Sequence, residues 1–178
     1  MSATHHPHTT CGHQRPTPIA GGAATVTGMV VRVAGHVPTR VDLRNAATAE
    51  QQLGLTLGAV LIYLRSHYTA HLIARSWSQA APLAGSLTPH LTGRRRGIMS
   101  TGPFSTSALI RIGGAPDLRA ALIPAEPGQE RPAILRLDLG SVSWELCDAA
   151  SYAALRQGWQ SAADLLAATG DTVDTPAA

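Results

Sequence analysis

Apolar residues in this chain fall into one long segment set between groups of short alternating runs. From Thr48 to Ala81, Leu53, Leu57, Val60, Leu61, Leu64, Tyr68, Leu72 and Ile73 recur at steps of three and four without an intervening proline, which predicts a helix. Asn45 or Thr48 would cap its first amides, and Gln51, placed three residues after Thr48, fits a capping box. Between Leu53 and Leu64 the apolar residues cover nearly the whole circumference, so this helix is expected to be the core. Unbroken to Ala81 it would be about 50 Å long at about 1.5 Å per residue, and a kink near Ser66 and His67 is expected. Its apolar run of about a dozen residues, ended by Arg65 and His67, is well short of the roughly 20 needed to cross a bilayer.

The flanking runs read as strands. Met29, Val31 and Val33 share one face; after a Gly35-His36 turn, Val37, Thr39, Val41 and Leu43 alternate with Pro38, Arg40, Asp42 and Arg44, which predicts a hairpin. Four more runs follow at Ser107 to Ile112, Leu118 to Ile123, Ala133 to Leu139 and Val142 to Cys147, joined by turn residues as a meander. Asp148 then caps a final helix whose stripe is Tyr152, Leu155, Trp159, Ala162 or Ala163, and Leu166, with Gly170 at its end. The predicted class is α+β: an antiparallel sheet of about six strands, order ββ-α(α)-ββββ-α, with the helices packed on one face. No internal repeat is read between the halves.

The domain reading is a His- and Pro-rich tail at 1–22, a single domain at 23–168 and a polar tail at 169–178. The net charge is only +3, and all 14 basic residues are arginine. So slight a charge argues against phosphate binding spread over the whole surface. Cys11 and Cys147 make no disulfide-rich pattern and no apolar secretory stretch follows Met1, so a cytoplasmic protein with reduced thiols is expected.

The candidate chemistry is sparse: no catalytic signature or phosphate loop is present. His67 and His71, four apart, would share a helix face as a zinc pair does, but a third ligand would have to come from His36, His90 or Cys147. His5, His6, His8, Cys11 and His13 are metal-capable, yet their spacing matches no structural zinc motif. Arg94, Arg95 and Arg96, between Gly93 and Gly97, can fork onto phosphates and are the nucleic-acid candidate, joined by Arg40, Arg44 and Arg111 on wet strand faces. Cys147 reads as a packed thiol, since no base partners it. Trp144 and Trp159 fall on core stripes, whereas Trp77 is the candidate for a contact surface.

The segments from Arg40 to Ser66 and from Val142 to Trp159 resemble uncharacterised proteins of Streptomyces and related actinobacteria, and the resemblance implies a bacterial host but no site. The functional expectation is a non-enzymatic interaction or regulatory protein, self-associating or bound to a protein partner, with no cofactor and no membrane. Its motive is a central helix with more apolar circumference than one sheet can cover. A nucleic-acid accessory protein is the alternative, and a small metal-dependent enzyme built on His67, His71 and Cys147 comes third.

Overall fold

The computed structural model describes residues 27–46, 48, 50–91, 107–125, 128 and 132–169. The chain runs β1 (Met29–Val33), β2 (Thr39–Arg44), β3 (Gln52–Leu57), β4 (Val60–Leu64), α1 (His67–Gln79), α2 (Ala81–Ala84), β5 (Ala108–Arg111), β6 (Leu118–Ile123), β7 (Ile134–Leu139), β8 (Val142–Leu146) and α3 (Ala149–Thr169). The α+β class holds. The single antiparallel sheet does not: two mixed four-stranded sheets form, a first in the order β1-β8-β7-β6 and a second in the order β2-β3-β4-β5.

The expected central helix is a hairpin followed by a shorter helix. Leu53, Leu55 and Leu57 carry a two-residue period as well as a helical one, and pairing of β3 with both β2 and β4 decides between them. Leu57 and Val60 close a two-residue turn over Gly58 and Ala59, with Gly58 at φ +59°. A left-handed first position is what such a tight hairpin loop demands, and glycine meets it without strain. Thr48 caps no helix; its hydroxyl donates to the Asn45 carbonyl at 2.8 Å in the loop between β2 and β3. The expected kink at Ser66 and His67 is the true start of α1, which buries Thr69, Ala70, Ile73, Ala74 and Trp77 at helical spacing.

The first two strands do not form a hairpin either. β1 lies parallel to β8 and β2 antiparallel to β3, so the Gly35-His36 segment passes the chain from one sheet to the other. β6, β7 and β8 make the expected meander, but β5 joins the second sheet parallel to β4. The tail at 1–22, the Arg94 to Arg96 run, Gly170 and the residues after it lie outside the described residues.

An internal repeat, absent from the sequence reading, organises the molecule. Residues 52–81 recur 82 positions later as residues 134–163, and Leu53, Leu55, Leu57, Gly58, Val60, Leu64, Trp77, Ala80 and Ala81 reappear as Leu135, Leu137, Leu139, Gly140, Val142, Leu146, Trp159, Ala162 and Ala163. These identities fall on core positions, the inner edge of the helices or the turn. Gly140 repeats the left-handed turn at φ +58°. The backbone repeats too: Gly58 N donates to Pro38 O as Gly140 N does to Asp117 O, and Ala108 N to Ala59 O as Met29 N does to Ser141 O. Each half is therefore a three-stranded meander, a helix and a parallel fourth strand. In the second half that fourth strand is β1, from the other end of the chain.

The helices exchange sheets. α3 packs on β2 and β3 of the second sheet, α1 reaches β6 of the first, and the two helices lie against each other. Where α3 crosses, a Cβ on Gly158 would sit 3.0 Å from Leu57 Cδ2 and 3.2 Å from Thr39 Cγ2, so any larger residue would press on those side chains. Trp77 and Trp159, equivalent in the repeat, meet with ring centroids 6.5 Å apart, and Trp144 and Tyr152 pack on Trp77. All three indoles are at most 1% exposed. Of the apolar residues that were expected to need a partner, Leu53, Leu57, Val60, Leu64 and Ile73 are thus buried within the chain's own core.

Asp148 pins three segments together. Its carboxylate, wholly buried, accepts the amides of Gly35 (2.8 Å), Leu91 (2.9 Å) and Ser151 (2.8 Å), tying the end of β1 and the segment after α2 to the first turn of α3. Burial alone would raise its pKa, but the amides of Leu91, Ser151 and Gly35 outweigh burial and hold it below the usual carboxylate range. Ser66 occupies the same place before α1 and makes no side-chain cap.

Candidate functional site

The residues singled out by sequence do not converge. His67 and His71 sit in the first two turns of α1 with ring centroids 5.7 Å apart. Among the described residues no three His, Cys, Asp or Glu side chains are grouped to hold a metal, so His36, His90 and Cys147 do not complete that pair. Cys147 is buried with Leu91 and Ile134, against Ala34 and Ile123. Trp77 is no contact surface: it is 0% exposed at the centre of the core. Arg40, Arg44 and Arg111 do share the outer face of the second sheet, on its opposite edge strands β2 and β5.

The repeat gives that face an internal reference. On the outer face of the first sheet, charges are satisfied within the chain. Arg32 on β1 stands opposite Glu145 on β8, and its Nε donates to the carboxylate at 2.8 Å. Arg136 donates from Nε to Asp138 at 2.8 Å and from Nη2 to the Ser143 hydroxyl at 2.8 Å, and Ser143 also donates to Asp138. Burial would raise Asp138, but the donors Ser143 and Arg136 hold it below the usual carboxylate range. Ser143 and Glu145 are buried beneath these partners.

The second sheet keeps the arginine and changes everything around it. By register, Arg111 on β5 is the equivalent of Arg32, but the residue opposite it is Tyr63, where the first sheet has Glu145. Leu61, Gly54 and Thr56 stand at the places of Ser143, Arg136 and Asp138. Tyr63 and Leu61 close over Gly54, each 3.5 Å from where its Cβ would be. The face therefore reads in rows: Arg40, Thr56, Leu61 and Leu109, then Asp42, Gly54, Tyr63 and Arg111, then Arg44 and Gln52. Leu109 is 57% exposed on the edge strand; its equivalent Val30 is 58% exposed. Arg40 engages Asp42 at 2.8 Å.

At one end of these rows lies a cleft of about 470 Å³ lined by Asn45, Glu50, Gln52, Arg65 and Arg111. Gln52 and Arg65 stand where the second half has Ile134 and Cys147, so an apolar seam in one half is a polar recess in the other. Asn45, at φ 51°, bends the chain there, and its amide donates to the Glu50 carbonyl at 3.4 Å. Tyr63, Arg65 and Leu109 were not candidates by sequence. The signal was the 82-residue alignment, in which tyrosine stands at the place of a glutamate while Leu64 beside it matches Leu146.

No family model, curated protein or solved structure matches the chain. No helix among the described residues is long and apolar enough to cross a membrane.

Proposed function

We propose that the chain is a non-enzymatic interaction protein whose docking face is the outer face of the second sheet. The observation that carries this reading is the contrast between halves: where the first sheet pairs Arg32 with its own Glu145 and fills the next place with Ser143, the second sets Arg111 beside Tyr63 and puts the half-buried Leu61 next to the exposed Leu109. An apolar and aromatic centre framed by arginines has the make-up of an interface core. The two arginines of the cleft and those of β2 favour an anionic partner.

A photo-crosslinking residue at Leu109, compared with one at the equivalent and equally exposed Val30, tests this in the native host. Crosslinks to one partner from position 109 and not from position 30 support the reading. Equal yields from both positions, or none from either, refute it.

A further inference from the structure

We propose that the partner of this face is single-stranded nucleic acid; the inference rests on the docking-face reading and adds the chemistry of what docks. The argument begins at Tyr63. Its ring edge lies against Gly54, 3.5 Å from where a Cβ would stand, and the side chain is half-buried on an inner strand of the sheet, in register with Arg111 on the outer face. An aromatic side chain on a sheet surface is a stacking platform for an unpaired base, and a duplex hides the base faces such a platform needs.

The cleft supplies what a base and its backbone require next. Asn45 and Gln52 bring amide groups, each with a donor and an acceptor side, and Glu50 brings a further acceptor, which together can meet a base edge. Arg65 and Arg111 share that cleft and project forked donors suited to phosphate oxygens. Arg40 and Arg44 extend the positive charge along β2, and β-strand rows about 7 Å apart give a path for successive phosphates across the sheet. The charge balance agrees: four arginines face Asp42 and Glu50, and Asp42 is already engaged by Arg40. A peptide partner would be better served by an apolar recess; here the recess is polar and the apolar residues lie flat outside it.

The test uses the full chain and fluorescence anisotropy with a labelled 20-nucleotide poly(dT) and a mixed-sequence RNA of the same length, with duplex DNA and poly-L-glutamate as alternative ligands. If about four phosphates are contacted, affinity for the single strand falls about 50-fold between 50 and 200 mM salt, and Arg111→Ala reduces that drop to about 20-fold. Tyr63→Ala weakens binding by about 5- to 150-fold, the range for loss of one stacked base, while Tyr63→Phe, which keeps the ring, stays close to the unaltered protein. Arg119→Ala, the counterpart of Arg40 in the other half, changes nothing and controls for charge alone.

Single-strand binding that survives Tyr63→Ala and Arg111→Ala, or is lost only when Arg94, Arg95 and Arg96 are replaced, overturns the proposal. So does a preference for duplex. Poly-L-glutamate bound in place of the oligonucleotide, with the same dependence on Tyr63 and Arg111, also overturns it but leaves the docking face standing. No binding of any of these ligands, together with equal crosslinking from Leu109 and Val30, removes both.

Discussion

Replacing Asp148 by alanine should come close to unfolding the protein. The side chain is the N-cap of α3 through Ser151 N, and such a cap is worth about 1 kcal/mol. Its loss also strands the buried amide of Leu91 and the partly buried amide of Gly35, at about 1–3 kcal/mol each. The sum is about 3–7 kcal/mol, against a total stability of about 5–15 kcal/mol for a domain. Urea unfolding followed by tryptophan fluorescence measures it directly. Asp148→Asn, which keeps the shape and one acceptor oxygen, should fall between. Because the folded pKa of Asp148 is depressed, the stabilisation by its ionised form is complete above the unfolded value of about 4 and drains away as pH falls through the folded value. The deficit of Asp148→Asn should accordingly narrow below about pH 4. Ser66→Ala, at the same slot of the other half, removes a buried hydroxyl that caps nothing and should cost less than about 0.5 kcal/mol. An Asp148→Ala protein within about 1 kcal/mol of the parent, or an Asp148→Asn deficit that does not change between pH 5 and 3, would refute this account.

Other substitutions probe the repeat. Trp77→Ala and Trp159→Ala should each cost about 3–5 kcal/mol in the same unfolding assay. Their double variant should depart from additivity by at least about 0.5 kcal/mol, because the two rings touch. Gly158→Val should destabilise by about 1–3 kcal/mol despite replacing a helical glycine, since the new side chain meets Leu57 and Thr39; a thermal midpoint at or above the parent's would contradict the close crossing. Gly140→Ala should cost about 1 kcal/mol for its left-handed φ, and Gly58→Ala more, because its Cβ would also press to 3.1 Å of Val37 Cγ1.

The second half of the chain was easier to read than the first, although both carry the same pattern. In Leu135-Arg136-Leu137-Asp138-Leu139 the intervening charges make the two-residue alternation plain, and the strand-turn-strand reading matches β7 and β8. In Leu53-Gly54-Leu55-Thr56-Leu57 the outward positions hold glycine and threonine, and Leu61 and Ile62 thicken the apolar run, so a helical period fits as well. Aligning the two stretches resolves the ambiguity in favour of strands. The face that hid the strand period is the same face that forms the candidate site: Gly54 and Thr56 stand where the other half has Arg136 and Asp138, and with those charges goes the clue. The parallel contacts of β1 with β8 and β5 with β4 leave no mark on local periodicity, because they are settled by packing between distant segments.

The displaced fourth strand sets an order on synthesis. β1 leaves the ribosome before the other described strands, yet β8, its ladder partner among them, lies 113 residues further on. At about 5–20 residues per second that interval is roughly 6–20 s. β2, β3, β4 and α1 can assemble from near neighbours in that time, while the Met-Val-Val-Arg-Val strand waits with both edges open. A gene permuted so that β1 follows α3 would make each half contiguous and abolish the wait. Refolding of such a protein would then be faster than that of the natural order even if the finished structures were the same.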